Sequence, residues 1–358
     1  MRKQIKIKLF ALLTIIYACS SNINETNEPS NNPSNNYSEW SVPVGEIRDG
    51  GPGIDGIPSI DHPQFVNINN PEASYLNDED LIVGIVDGTS IKAYPHIILD
   101  WHEIINDNLN GVPTSISYCP LTGTAFAWKG DHSSSNPEYG VSGLLYKSNL
   151  ILYDRETNSH WSQLRLDCIN GELIGNEPEL KNIIETNWGT WKTMYPNTKV
   201  MTLNTGFNRD YDEYPYGPYK TDHDFFLFNV SPLNNNLPNK ERVFAIIDNG
   251  YSKVYRFSSF QNGKVLKEII NNKTFLIVGN ENTINAFELT GSLMDLEYEY
   301  VYNHSQSFFS DSEGNEWTIS GKAISGLREN WQLKHIKSLV SYWFAIAAFY
   351  PQPDIYQN

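Results

Sequence analysis

Alternating apolar and polar residues along most of the chain predict a protein built mainly from β-strands. The runs LIVGIVDG and TSIKAY, within residues 81–94, flank the turn signal Asp87-Gly88 and are typical of a β-hairpin. The same alternation predicts further strands in residues 114–118, 124–128 and 139–154.

One amphipathic helix is predicted between these strand pairs. It should begin near Pro95, because proline is favourable at the first helical position. From Ile97 to Ile105, isoleucines and a tryptophan recur at spacings of three and four, which is typical of a helix with one apolar face. Residues 108–113 are expected to end it. With a second helix near the C-terminus, the pattern predicts an α+β fold that is mainly β.

Two parts of the chain resemble each other at a separation of about 160 residues. VGIVDGTSIKAYP, EIIND and TAFAW in the first half correspond to FAIIDNGYSKVYR, EIINN and NAFEL in the second. We infer two related β-rich lobes, near residues 75–185 and 240–335, each with a short helix. Features that both lobes share are expected to be structural, so the candidate chemistry is assigned to the first lobe.

The N-terminus has the pattern of a bacterial lipoprotein signal. Four basic residues precede an apolar run that ends at Ala18, and Ile16-Tyr17-Ala18-Cys19 resembles a lipobox. Residues 1–19 are therefore predicted to be a signal peptide with Cys19 as the lipidation site, and cleavage without lipidation is the alternative. The expected location is extracytoplasmic, with the protein anchored by lipid to a bacterial membrane and facing the periplasm or the cell surface.

Composition divides the remaining chain into four parts. Residues 20–44 are rich in Asn, Ser and Pro and predict a disordered tether. Residues 45–185 form the first β-rich lobe with the candidate site, and residues 186–239 form a connection rich in Tyr and Trp. Residues 240–358 form the second β-rich lobe and the C-terminal helix.

Net charge excludes one class of partner. The chain has 26 Lys and Arg against 42 Asp and Glu, for a formal charge of −16. Loss of the predicted signal removes four basic residues and no acidic ones, which changes the charge to −20. Such a surface repels phosphate backbones, so we expect no nucleic-acid partner.

Residues 93–128 hold the densest candidate chemistry. Cys119 is followed by Pro and, three positions on, by Thr122, as in thiol redox turns whose backbone N–H groups stabilise a thiolate. Cys119 with His102 from the predicted helix would also suit copper or zinc. The alternatives are that Cys119 packs in the core as a small apolar residue, or that it forms a disulfide with Cys168.

Two other groups are candidates for chemistry or binding. Arg155 could orient a carboxylate or phosphate and Asp154 could act as a base, although their sequence also suits a turn with a local ion pair. Tyrosines in the connection could form an amphipathic surface for a glycan or a protein, or could cap a hydrophobic core. These tyrosines are Tyr211, Tyr214, Tyr216 and Tyr219.

Several motifs together resemble the DUF3179 family, whose function is not established. They include YPHIILDWHEIIND, YCPLTGTAFAW, ETNWGTWKTMYPNT, TGFNRDY and YWFAIAAFYP, and the resemblance extends over residues 50–353. Members of this family often carry Cys where Thr122 stands, and some are described as selenoproteins, so the resemblance implies a reactive thiol or selenol. Thr122 departs from that pattern and argues against a two-thiol mechanism in this chain.

Two functional hypotheses follow. The first is a membrane-anchored extracytoplasmic lipoprotein with a Cys119-centred site for thiol redox chemistry or for copper or zinc. The second is a non-catalytic lipoprotein that binds a glycan or protein through the aromatic residues between the lobes. The membrane is the expected partner through Cys19 in both cases.

Overall fold

The computed structural model describes residues 39–130 and 138–357. The predicted signal peptide, Cys19 and the tether up to residue 38 lie outside this part. Within it the protein is mainly β, as predicted, with three α-helices of seven residues each: α1 (His96–His102), α2 (Trp188–Met194) and α3 (Trp343–Phe349). None of the helices in the described ranges is long and apolar enough to cross a membrane.

The strands fall into two series, before and after the Tyr-rich connection. The first series comprises β1 (Ile47–Asp49), β2 (Phe65–Asn67), β3 (Leu81–Asp87), β4 (Ser90–Pro95), β5 (Ile104–Leu109), β6 (Val112–Cys119), β7 (Thr124–Lys129), β8 (Tyr139–Tyr146), β9 (Asn149–Asp154), β10 (His160–Ser162), β11 (Asp167–Asn170), β12 (Leu180–Lys181), β13 (Ile184–Asn187) and β14 (Lys199–Met201). The second series comprises β15 (Arg242–Asp248), β16 (Tyr251–Arg256), β17 (Lys264–Ile270), β18 (Lys273–Gly279), β19 (Ile284–Leu289), β20 (Tyr298–Tyr300), β21 (Phe309–Asp311), β22 (Glu316–Trp317), β23 (Ala323–Ser325), β24 (Lys334–His335), β25 (Ser338–Tyr342) and β26 (Asp354–Ile355).

Two of the sheets have the same strand order and directions. The predicted hairpin β3–β4 is flanked by antiparallel β13 and by parallel β14, which follows β13 through α2; β2 is added at the edge. The hairpin β15–β16 is likewise flanked by antiparallel β25 and by parallel β26, which follows β25 through α3. A short helix connects the outer strands in both sheets because parallel strands need a crossover.

Two more pairs of sheets follow the hairpins in the two series. The sheet β12-β7-β6-β5 contains the predicted strand pair β6–β7, and the sheet β17-β18-β19-β24 follows the hairpin of the second series. The remaining sheets are β1-β8-β9-β10-β11 and β20-β21-β22-β23.

A three-residue polar contact occurs in both series at equivalent positions. In each, a lysine ammonium lies 2.7 or 2.8 Å from a carboxylate that also accepts a 2.7 Å hydrogen bond from a tyrosine hydroxyl. Each residue of the second set stands 161 positions after its counterpart in the first. The sets are Lys92, Tyr94 and Asp107, and Lys253, Tyr255 and Glu268.

The predicted helix starts where expected but ends earlier. It stops at His102, and Glu103 adopts a positive φ of 56° that turns the chain. Ile104 and Ile105 therefore lie in β5, so their assignment to the helix was wrong. β-Branched side chains suit a strand, and residues 104–109 pair along their whole length with β6. Long-range pairing thus overrides the local helical spacing.

Hydrophobic clusters join the two series into one compact unit. Trp128 and Trp161 of the first series share a cluster with Ala245 and Trp343 of the second. The predicted boundaries shift at two places.

At the first boundary, Val42 is 4% exposed and packs with Ile169, so residues 39–44 belong to the folded part and not to the tether. At the second, β13, α2 and β14 carry the first sheet beyond residue 185. The part of the connection without strands or helices therefore runs from residue 202 to 241.

Candidate functional site

A group of buried polar side chains lies at and just after α1. The helix starts where β4 ends, with Pro95 at its N-cap, and buries Ile98 and Leu99 completely. His96, Asp100 and Glu103 are also 94–95% buried, although they are polar. Buried polar groups are normally hydrogen-bonded, so the partners of these three decide their role.

His96 lies next to a carboxylate that both series help to position. Its Nε2 is 3.5 Å from Glu185 Oε2 on β13, and Arg242 Nη2 at the start of β15 lies 3.2 Å from the same oxygen. His96 Nε2 and Glu185 Oε1 have no hydrogen-bond partner in the described part of the chain. Burial lowers the pKa of His96, against the opposing effect of Glu185, so its imidazole is neutral.

Asp100 is one helical turn from His96. Within the described ranges its carboxyl makes no hydrogen bond. Burial raises its pKa to about 7, against the opposing charge of Lys220. Its electrostatic neighbours include the hydroxyls of Tyr118, Tyr214 and Tyr342. The Tyr214 hydroxyl is itself buried without a described partner.

Glu103 follows α1 directly. Its Oε1 accepts a 3.1 Å hydrogen bond from the Tyr216 hydroxyl, whereas no described residue bonds to Oε2. Burial raises the pKa of Glu103 to about 7, and the charge of Asp100 adds to the rise. Its backbone is fixed on both sides, since its N–H donates to Leu99 and its carbonyl accepts from Tyr118.

These groups can bind a polar molecule and exchange protons with it. Two carboxyls with pKa values near 7 are each partly protonated at neutral pH, as a general acid or base requires. Polar atoms buried without partners are places where a ligand or water would be stabilised. Strongly shifted pKa values combined with such atoms are typical of functional sites.

Cys119 does not belong to an open site. It is 1% exposed and packs in a core cluster with Leu121 and Leu150. Burial raises the pKa of its thiol to about 11, and the charge of Glu103 adds to the rise. Cys119 and Cys168 are both free, so they do not form the disulfide that their sequence allows. Because the reactive form of a cysteine is the thiolate, this environment disfavours thiol chemistry.

His102 has both ring nitrogens engaged. Nδ1 lies 2.8 Å from the Pro58 carbonyl and Nε2 lies 2.7 Å from the Tyr211 hydroxyl, which in turn contacts Thr205. No nitrogen lone pair is left for a metal, and Cys119 is not among its partners. Across the described residues, no group of three or more His, Cys, Asp or Glu side chains has the arrangement of a metal site.

Arg155 and Asp154 make separate contacts. Arg155 is ion-paired with Asp61 at 2.8 Å and with Glu138 at 3.1 Å, so its pair is not local. Asp154 is buried and accepts a 3.0 Å hydrogen bond from the Trp161 indole. The structure brings neither residue to Cys119 or His102 through any described contact.

The tyrosines of the connection face inward, over α1. Tyr211 and Tyr219 are buried, and Tyr219 donates to the Leu121 carbonyl. Tyr214 and Tyr216 are half-buried beside Asp100 and Glu103.

The sequence places Asp100 and Glu103 in the stretch of densest candidate chemistry, but no site role was predicted for them, and neither Glu185 nor Arg242 was a candidate. A usable signal exists for the helix residues, because the positions 161 residues after His96, Asp100 and Glu103 hold Phe257, Gln261 and Lys264. No local pattern marks Glu185 or Arg242, which reach the site only through the sheets.

Comparison with known proteins places the chain by sequence. No curated protein and no solved structure matches it. The family model described as a protein of unknown function, DUF3179, matches residues 54–353. The chain therefore belongs to the DUF3179 family.

Proposed function

We propose that this protein is a membrane-anchored extracytoplasmic lipoprotein that binds a small polar molecule at α1 and exchanges protons with it. The proposal depends mainly on one observation: Asp100 and Glu103, three residues apart, are both at least 94% buried, the charge of Asp100 acts on Glu103, and the pKa of each is raised to about 7. Residues kept only for the fold would normally be paired or apolar at such positions.

The surrounding groups support a ligand site over an isolated buried acid. His96 supplies a neutral imidazole, and Glu185 is held by Arg242 with one oxygen left over. These donors and acceptors come from both series of strands, so they meet only in the complete fold. Interfaces of this kind are common positions for small-molecule sites.

A thermal-shift screen with amines, carboxylic acids, sugars and phosphate esters tests the proposal. We expect one of these classes to raise the melting temperature of the wild type, because binding to the folded state stabilises it. The shift should vanish in His96→Phe and in Asp100→Gln, which install the residues found at 257 and 261. His62→Phe, at an exposed histidine, is the matched control. Equal shifts in all variants, or no shift in the wild type, would contradict the proposal.

The anchor is proposed from the sequence around Cys19. Cells fed a radiolabelled fatty acid should label the wild type and not Cys19→Ser, and the variant should leave the membrane fraction. An unlabelled wild type would exclude lipidation.

We also propose that the two series descend from one repeated unit. The supporting observations are the equal strand order of the hairpin sheets and the polar contacts shared at an offset of 161 residues. A common origin explains why one set of helix residues could diverge toward binding while the other kept the fold.

The two sequence hypotheses remain predictions with less geometric support. Thiol or metal chemistry at Cys119 would need the thiol to become accessible and ionised. Recognition of a glycan or protein by the connection would need its tyrosines to turn outward, away from α1.

A further inference from the structure

An apolar cavity of about 200 Å³ opens beside Glu103. Its walls include Val141 on β8, Leu150 on β9 and Phe228 of the connection. Glu103 and Tyr216 are the lining side chains that carry polar atoms. The cavity is therefore a mainly apolar space with one carboxyl and one hydroxyl at its wall.

The carboxyl at this wall has one oxygen available. Tyr216 donates to Oε1 of Glu103, and no described residue bonds to Oε2. The residue is 6% exposed, but Oε2 is not among the fully buried oxygens without a partner, so a ligand in the cavity can approach it. A ligand in the cavity that donates a hydrogen bond, and above all one with a positive charge, would compensate it.

We propose that the cavity binds a primary amine with a short aliphatic chain, with the ammonium group against Glu103 and the chain in the apolar space. This inference rests on the proposed function, since Glu103, one of its two carboxyls, lines the cavity. The size fits, because a cavity of about 150 Å³ holds one benzene molecule and this one would take roughly six to eight carbon atoms.

Charge selects an ammonium over other head groups. Asp100 lies near Glu103 and adds a second carboxyl, so a carboxylate ligand would be repelled. A bound cation favours the ionised form of Glu103, and affinity should therefore rise as pH increases through 7. The titratable groups that face Glu103 are Asp100, Cys119 and Tyr216, and the two with pKa values far above 7 stay neutral in this range.

Calorimetric titration with n-hexylammonium, 1-hexanol and hexanoate tests the inference on the full mature chain. At pH 8 we expect hexylammonium to bind about tenfold tighter than hexanol, and hexanoate to bind more weakly than hexanol. Between pH 8 and 5.5 the affinity for hexylammonium should fall several-fold, while that for hexanol stays constant.

Variants of the cavity wall test separately the contribution of the ammonium group and that of the aliphatic chain to binding. Glu103→Gln should remove the preference for ammonium and keep hexanol binding. Phe228→Ala, at a half-buried wall position, should weaken both ligands, and Leu327→Ala, at a side chain 87% exposed, should change neither. The inference would be overturned if hexanol bound as tightly as hexylammonium, if hexanoate bound more tightly than either, or if none of the three bound.

The pKa values of Asp100 and Glu103 in the free protein distinguish the two proposals. If both values lie near 7 and no amine binds, the ligand class is wrong and the acid–base site stands. If both are ordinary, the proposed function fails independently of any amine.

Discussion

The hairpin sheets of the two series have the same strand order, and the two series differ where α1 lies. Both hold a lysine–carboxylate–tyrosine contact at equivalent positions, and both bond a buried indole to an aspartate, Trp161 to Asp154 and Trp317 to Asp311. The equivalent of α1 in the second series is a single 3-10 turn, Phe257–Phe260.

The difference concerns three side chains that the framework does not require. His96, Asp100 and Glu103 occupy positions that hold Phe257, Gln261 and Lys264 in the second series. The same hairpin and the same following strand form with either set. This difference between the two series is the basis on which we propose a binding role for these three residues.

The shared indole contacts give the largest expected effect. Trp161→Ala and Trp317→Ala should each lower the free energy of unfolding by roughly 3–5 kcal/mol, because both indoles are fully buried and bonded to aspartate. Guanidinium denaturation measures both, with Trp331→Ala, half exposed, as a control that should cost much less. A large loss in only one of the two variants would show that the two indole contacts do not contribute equally to stability.

Asp100→Asn should show a stability difference that depends on pH. A carboxyl whose pKa is raised on folding contributes stability that is complete below the unfolded value of 3.8 and is lost as pH rises through about 7. As pH rises across this window, the free energy of unfolding of the variant should therefore increase relative to that of the wild type by up to about 1.4 kcal/mol per pH unit.

Denaturation at a series of pH values measures that difference. Gln261→Asn, at the equivalent position of the second series, should give a difference that does not vary with pH. If the difference in the free energy of unfolding between Asp100→Asn and the wild type did not change from pH 4 to 8, the pKa of Asp100 would not be raised on folding.

The tyrosine hydroxyls of the lysine–carboxylate–tyrosine contacts should contribute less to stability than the indoles, and the two should contribute equally. Tyr94→Phe and Tyr255→Phe each remove one bond to a carboxylate that keeps its lysine, for an expected loss of about 1–2 kcal/mol. Denaturation of the two variants beside the wild type tests this. Losses that differ severalfold would mean that the two contacts do not play the same part.

The smallest effect is expected for modification of the native cysteines by a thiol reagent. Burial raises the pKa of Cys119 to about 11 and that of Cys168 to about 12, so both thiols should react slowly with a thiol reagent at pH 8 and quickly after unfolding. A fast-reacting native thiol that disappears in Cys119→Ser would restore the Cys119 hypothesis.

Local patterns predicted much of the fold. Alternation located the hairpin β3–β4 and the pair β6–β7, and Pro95 marked the start of α1. The end of α1 was missed because Ile104 and Ile105 fit both a helical face and a strand. Only pairing with β6, which sequence spacing does not reveal, decides between them.

The site was harder to predict because its partners are distant in sequence. Glu185 on β13 contacts His96, Arg242 on β15 contacts Glu185, and neither residue lies in a recognisable motif. Cys119 was a candidate because cysteine is a reactive residue type. Its reactivity depends on its exposure and on nearby charge, and here Cys119 lies at the end of a strand, buried in a core cluster with Leu121.

A ¹³C NMR titration of the Asp100 and Glu103 carboxyl carbons, assigned with Asp100→Asn and Glu103→Gln, is the decisive test of the proposed acid–base site. We predict that both carboxyls titrate near pH 7, since burial raises the pKa of each to about that value. Titration of both below about pH 5, as for ordinary exposed carboxyls, would contradict it.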